Sequence, residues 1–457
     1  MLLNKLLRIS ASQNLSLKKK KILLKSKQNN ILRLDVKAVK KSRESIISKT
    51  KNSFNYTRIL GVVSAANEAD SFLPYTIPKI IQQIAGMGMK GDIIIGLNHG
   101  FECPKLIQCL KLLSNVQIIH LYTEAKTTNN IPARIFDNIK CMGEPYYLDN
   151  ISPEYSQHRI FIVHQKVSLH SSGKIRVLGD IYGSLLLKSI EKGWIPPEFV
   201  VTFDAETQFL IDSKYSGVES KLDANGLMLI VNELKKSPQI DILSTRNQFV
   251  VYRKSFLDDV EILLPDFSQE VPPIHLFLNA VHGRFSGYKW STGSGIVAKT
   301  DAMISLLVII SKRYPGIRIE DVQLTILAYH AGFGFNISLD AISINRSPNI
   351  DERTISNSLK AAWMEQIYRW NSGCKSLELC YGKHNIIPIV DDGFPLFGIA
   401  GTFDLFRLLM ESKKINLYTI IETVKSLMIA FITSRMIRRK SSDNPDILQG
   451  ATAKASW

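Results

Sequence analysis

The chain has 457 residues, 45% of them hydrophobic, and a formal net charge of +16. That is enough apolar material for a large core, in one big domain with additions or in two domains. Its five cysteines (Cys103, Cys109, Cys141, Cys374 and Cys380) form no CxxC pair, which leaves free thiols in a reducing compartment rather than a disulfide framework or a thiolate metal site.

The charge is concentrated at one end. Residues 1–51 hold 15 Lys and Arg against Asp35 and Glu44, and so supply +13 of the total. The body that follows is nearly balanced, so any role on an anionic partner belongs to this basic arm. The arm carries Lys18-Lys19-Lys20-Lys21 but no stacking aromatics ahead of Phe54, and a nucleic-acid partner is not expected. Its alternation of apolar residues with lysine, as in Ile22-Leu23-Leu24-Lys25, suits an anionic membrane surface; a plain solvated arm is the simpler alternative. Met1–Arg8 is too short and broken for a signal-peptide core. Leu417–Ser434, interrupted by Glu422 and Lys425, reads as a core or interfacial helix and not a membrane span. The expected location is cytoplasmic, with surface attachment at the cytoplasmic face as the one membrane role left open.

The body opens with a strand at Ile59–Val63, closed by Asn67-Glu68 and followed by a helix through Ile77, Ile80 and Ile81. A second strand at Ile93–Ile95, a helix over Lys105–Leu113 and a third strand at Val116–Leu121 continue the alternation expected of a parallel sheet covered by helices. The pattern loosens through residues 122–170. A helix follows from Ile175 to Lys192, ended before Pro196-Pro197, and then a fourth strand at Phe199–Phe203. Residues 241–254 and 274–300 read as strands with loops, Asp301–Ser311 and Glu320–Ala331 as helices, and Ile355–Trp370 as a further helix.

Four clusters can carry chemistry. Asp204-Ala205-Glu206 follows the fourth strand directly, where α/β folds place their ligands. Its two carboxylates suit Mg2+ or Mn2+ bridging a diphosphate, although an ordinary turn would look the same. Glu320-Asp321 opens a helix, where first-turn acids cap and compensate the dipole, or where one of them serves as a general base. Gln366, Arg369 and Trp370 share a helix face and could hold a diphosphate or hydroxyl beneath an indole; burial of Trp363 and Trp370 explains part of that pattern. Gly173-Lys174 before a helix offers a lysine for a pyrophosphate, and Ser291–Gly295 offers a flexible loop. Nucleophile-elbow, P-loop and HExxH patterns are absent from the sequence.

In this order the clusters resemble glycosyltransferase family 2, and within it the processive cellulose, chitin and hyaluronan synthases. The resemblance covers residues 57–373 and rests on D-x-E, then E-D, then an intact Q-x-x-R-W at Gln366–Trp370. It implies a GT-A fold: a Rossmann-like, mostly parallel central sheet flanked by helices. It places Asn67 and Glu68 near the nucleotide and Asn98 where the family's base-reading acid stands. It sets Lys174 at the diphosphate, Asp204 and Glu206 on the metal, and Asp321, beside Glu320, as catalytic base. The synthases' membrane spans are missing, so polymer export is not expected.

The organisation expected is a basic arm over residues 1–56, the GT-A domain over 57–373 and a largely helical extension over 374–457. The activity implied is inverting transfer from a nucleoside-diphosphate sugar, a UDP-sugar favoured, to a glycan, lipid or protein hydroxyl. The alternatives are a nucleotidyltransferase-like sugar-nucleotide enzyme, which leaves Gln366–Trp370 unexplained, and a non-catalytic binding protein that keeps the fold.

Overall fold

The apolar run at the start of the body is strand β1 (Arg58–Ala65), and its side chains divide between two cores. Leu60 and Val62 enter one core; Ile59, Val63 and Ala65 enter the other. A strand buried on both faces needs helices above and below it. The structure, a computed structural model, describes residues 2–51, 53–65, 69–98, 103–124, 139–141, 144–150, 157–166, 174–211, 225–257, 259–268, 295–314, 320–346, 376–377, 379–382 and 385.

The remaining strands in chain order are β2 (Lys90–Leu97), β3 (Val116–Glu124), β4 (Ile139–Cys141), β5 (Glu144–Pro145), β6 (His158–Lys166), β7 (Phe199–Phe203), β8 (Gln208–Ile211), β9 (Ile242–Leu257), β10 (Val260–Asp266), β11 (Ile296–Lys299) and β12 (Phe335–Arg346). They form one sheet in the order β5-β4-β3-β6-β2-β1-β7-β11-β9-β12-β8, with β10 beside β9. β3, β6, β2, β1 and β7 run parallel. Beyond β7 the sheet turns mixed: β11 is antiparallel to β7 and β9, while β12 is parallel to β9 and antiparallel to β8. The expected Rossmann-like, mostly parallel sheet is therefore present, with a mixed half that the sequence pattern does not announce. β2 and β7 flank β1 on opposite sides, so the strand order reverses there and opens a crevice at the carboxyl ends of β1 and β7.

Three segments depart from the sequence reading. The loosened stretch over 122–170 contains β6, which inserts between β2 and β3 at the centre of the parallel half. Phe335–Arg346, to which the sequence pattern assigns no element, forms β12. A helix also forms over Gly226–Lys236, started by the Asn225 side chain accepting from the Met228 N–H.

The helices are α1 (Leu2–Thr50), α2 (Ala69–Gly86), α3 (Pro104–Lys111), α4, α5 (Gly226–Lys236), α6 (Thr300–Arg313) and α7 (Glu320–Ala331). α4 begins as Lys174–Gly179, passes through a π-helical stretch at Asp180–Leu187 and ends as Lys188–Glu191. α2, α3 and α5 contribute to one core, and α4, α6 and α7 to the other.

The basic arm is not simply solvated. It is one 49-residue helix whose second half packs on the body. Gln28, Leu32, Asp35, Val39, Ile46 and Thr50 are buried, and their spacings of three, four and seven keep them on one stripe. Arg43, on the same stripe, pairs with Asp241 at 2.6 Å and Asp301 at 2.7 Å. Lys37, Lys40, Lys41 and Lys49 lie off the stripe and are exposed. Among the described residues no helix is long and apolar enough to cross a membrane. Leu417–Ser434 and most of the 374–457 extension lie outside the described residues.

Candidate functional site

The site forms where β7 runs out. All five residues of Phe199–Phe203 are buried, and the first charged side chain at the strand's end is Asp204. A tight turn then holds that residue. The Thr207 N–H donates to the Asp204 carbonyl at 3.0 Å, and the Asp204 N–H donates to Thr207 Oγ1 at 3.1 Å. Ala205 and Thr207 are buried, which anchors the turn from within. The Tyr252 hydroxyl donates to the Glu206 carbonyl at 2.6 Å and fixes its far side. Burial, and then the nearby Glu206 carboxylate, hold the Tyr252 phenol well above its ordinary pKa.

α4 brings Lys174 to this turn. A Cβ on Gly96 of β2 would fall 2.1 Å from Val177 Cγ1, so only glycine lets α4 cross the strand so closely. Tyr182 of α4 and Thr202 of β7 share a buried hydrogen bond of 2.8 Å, which ties the helix to the strand two residues before Asp204. The first residue of α4, Lys174, reaches Asp204 Oδ1 at 2.8 Å and Glu320 Oε1 at 2.7 Å.

α7 supplies the other acids. The Val322 N–H donates to Asp321 Oδ1 at 2.9 Å, the hydrogen bond expected of a first-turn acid. Thr325 Oγ1 donates to the Asp321 carbonyl at 3.0 Å. Burial raises the Asp321 carboxyl from its ordinary range to about 7; the Glu320 and Asp204 charges push the same way, against the Lys174 ammonium and the Val322 N–H. Lys174 shifts upward as well. Burial opposes its charge, but the Asp204 and Glu320 carboxylates outweigh that and hold the ammonium well above the ordinary lysine range. Lys174 thus stays charged at neutral pH, while Asp321 is poised between its two forms.

Four residues singled out from the sequence therefore meet in one place: Lys174, Asp204, Glu320 and Asp321. Asn98 follows the last residue of β2, at the same end of the sheet, and its buried Oδ1 has no partner among the described residues. Asn67, Glu68, Gln366, Arg369 and Trp370 lie outside the described residues. The π-helical stretch of α4 and the anchoring roles of Thr207 and Tyr252 were not legible beforehand. Thr207 alone left a signal, as a hydroxyl residue three positions after an acid at a strand end.

A divalent cation would have to share this turn. Among the described residues no group of three His, Cys, Asp or Glu side chains is arranged to hold a metal. Asp204 and Glu206 nonetheless offer hard carboxylate oxygens of the kind Mg2+ and Mn2+ use. Such ions are commonly bound by one or two carboxylates and completed by substrate phosphates. The donor set fits a cation of that kind and no closed protein cage.

No known family profile and no curated protein matches the sequence. Among solved structures, the chain is similar to a mannosyltransferase from Pyrobaculum calidifontis in complex with GDP-Man and Mn2+. The identity is 10%, the TM-score 0.38, and the alignment covers 90% of this chain and 98% of that one. A likeness this slight carries no argument about function.

Proposed function

We propose that the chain is a GT-A-type glycosyltransferase that moves a sugar from a nucleoside-diphosphate donor to an acceptor hydroxyl with inversion. The observation that carries this reading is the meeting of Lys174, Asp204, Glu320 and Asp321 at the carboxyl end of the parallel strands. Among the described residues two acids there bond one ammonium, and a third, Asp321, stands within its field. A site with that excess of negative charge accommodates a further cation, and a carboxyl raised to about 7 matches the needs of a general base at neutral pH.

In this mechanism Lys174 holds the donor's diphosphate, exchanging part of its contact with Asp204 for phosphate oxygens. Asp204 and Glu206 would hold Mg2+ or Mn2+, which supplies charge neutralisation for the departing diphosphate. Asp321, in its ionised form, accepts the proton from the acceptor hydroxyl as that oxygen attacks the anomeric carbon. The bond to the diphosphate breaks on the opposite face, so an α-linked donor gives a β-linked product. Glu320 keeps Lys174 in place and, by its charge, keeps the Asp321 proton affinity high enough to accept. The unpartnered Oδ1 of Asn98 supplies an acceptor for a nucleobase N–H. Asn67, Glu68 and the Gln366–Trp370 segment complete the donor and acceptor contacts on the strength of the family resemblance. UDP-sugars are the first donors to try, and the acceptor is a glycan, lipid or protein.

A panel of sugar nucleotides with Mn2+ or Mg2+ tests the reading by release of nucleoside diphosphate. One donor should be turned over, and Asp321→Asn should abolish its transfer while leaving its binding in place. Full transfer activity in Asp321→Asn would remove Asp321 as the base. Failure of every nucleoside diphosphate to bind would remove the whole reading.

A further inference from the structure

Asp35 is the first acid of the chain and stands in a lysine-rich helix, yet it is fully buried. A buried carboxylate is costly unless charged or hydrogen-bonding partners meet it. Here burial raises its proton affinity, against the pull of the partners around it. The Arg313 guanidinium, at the end of α6, pairs with Oδ1. The Tyr314 hydroxyl donates to Oδ2 at 2.5 Å, and the Tyr381 hydroxyl donates to the same oxygen at 3.2 Å.

The third contact leads elsewhere. Tyr381 accepts a hydrogen bond of 3.0 Å from Nε2 of Gln323, a wholly buried residue of α7. Gln323 follows Asp321 by two residues, so the two side chains leave the helix in different directions. Arg313 and Tyr314 already meet the Asp35 charge. The Tyr381 hydrogen bond ranks behind the Tyr314 hydrogen bond and the Arg313 charge in steadying that carboxylate, and it is the branch that reaches α7.

Most of the α7 seat is apolar, with Val322, Leu324, Ile326 and Leu327 packed into the core, and further polar ties to the body lie at its two ends, Glu320 to Lys174 at 2.7 Å and His330 Nε2 to the Asn385 carbonyl at 2.9 Å. Apolar packing is non-directional and leaves a helix some freedom to rotate. A hydrogen bond to one buried amide does not. Reacting groups must be held to within ~0.5 Å and ~10–20° of their working geometry. We propose that Asp35 is a positioning residue that, through Tyr381 and Gln323, fixes the rotation of α7 and with it the acidic pair Glu320 and Asp321. The N-terminal helix is then part of the catalytic framework and not an appendage. This inference rests on the reading of Asp321 as the base.

The test uses the full chain and compares wild type, Asp35→Asn, Gln323→Leu and Tyr381→Phe. Asp35→Asn leaves Arg313 without its carboxylate and can fail to fold, so Tyr381→Phe, which deletes one hydroxyl, decides. With the donor that wild type turns over, kcat of Tyr381→Phe should fall roughly tenfold, in line with the cost of a small misplacement. KM should stay within twofold, and the acid limb of the kcat–pH profile should move. Hydrogen exchange read by mass spectrometry should speed up over residues 320–324 but not in α4. Unchanged kcat, pH profile and exchange, with only a lower melting temperature, would make the network a plain brace and overturn the proposal. If Asp321→Asn keeps full transfer, or wild type turns over no sugar nucleotide, the base reading fails by itself. The exchange measurement then still decides whether the network holds the first turn of α7.

Discussion

The two ends of the parallel strands both bury charge, and they do it in opposite ways. At the amino end, Asp92 is buried between two guanidiniums. Arg58 Nη2 lies 2.6 Å from Oδ1, Arg159 Nε lies 2.8 Å from the same oxygen, and Arg159 Nη2 lies 3.0 Å from Oδ2. Asp149 takes the remaining reach of Arg159 at 2.7 Å. At the carboxyl end one ammonium, that of Lys174, is divided among Asp204, Glu320 and the neighbouring Asp321. Two arginines on two acids make a balanced knot. Among the described residues the three acids face one lysine, and burial first, then the Glu320 charge, lets Asp321 hold its proton to about pH 7. The first arrangement has little to gain from a ligand, whereas the second gains from any added cation. On the proposed reading, buried charge marks function where it is incompletely compensated, not where it is merely present.

The largest effect that would sharpen this contrast is chemical. Asp321→Asn should lower kcat by roughly 10²–10⁴-fold, the range for loss of a general base, with the fold intact by circular dichroism. At the other end Asp92→Ala should cost ~3–5 kcal/mol of stability, because it strands two buried guanidiniums. Chemical denaturation reads that loss, and the folded fraction should retain its turnover. If Asp92→Ala abolished turnover without loss of stability, the division into a structural end and a reactive end would be wrong. Lys174→Met should weaken nucleoside-diphosphate binding by roughly 10- to 100-fold, the worth of a charge-assisted hydrogen bond, in calorimetry at fixed Mn2+.

The smallest effects concern pH, and here the two ends should differ in sign. The folded Asp321 carboxyl binds its proton more tightly than the unfolded one, so its contribution to stability falls as pH rises from about 4 to about 7. In Asp321→Asn that decline should vanish, with a gain of about 2–4 °C in melting temperature at pH 8 relative to wild type. His158, at the amino end, behaves in reverse. Burial, then the Lys90 and Arg58 charges, lower its pKa to about 4, and its neutral Nδ1 accepts the Gly91 N–H at 2.9 Å. Its contribution is therefore lost as pH falls from 6.5 toward 4. Melting curves of His158→Asn and wild type should converge on the acid side. A His158→Asn protein with the same acid-side decline as wild type would break the comparison.

Much of this is legible in the sequence. β1, β2, β3 and β7 were visible as short apolar runs, and Asp204 was recognisable as an acid at a strand end, because those signals are local. Lys174, Glu320 and Asp321 were also named from sequence, through a family pattern. Their convergence was not visible: Lys174 and Glu320 are far apart in the chain, and only the crossing of α4 at Gly96 and the placement of α7 bring them together. β6 escaped because it lies in a stretch of mixed residues, and its membership is decided by pairing with β2 and β3. Its pattern is partly masked by Arg159 and His164, the first of which belongs to the charged knot.

The arm shows the same limit from the other side. Its lysines dominate composition, and composition reports solvation. The stripe of Leu32, Asp35, Val39 and Ile46 is sparse, and the acid in its middle breaks the apolar pattern. Sequence alone determined the strongly apolar strands, the periodic helices and the acids that stand at element ends, since these follow from nearest-neighbour chemistry and periodicity. Tertiary structure alone decided which acids share a single lysine and that a basic helix is a packed layer of the body. Those outcomes depend on burial, and burial is set by residues distant in the chain, Arg313, Tyr314 and Tyr381 for Asp35 and Lys174 for Glu320.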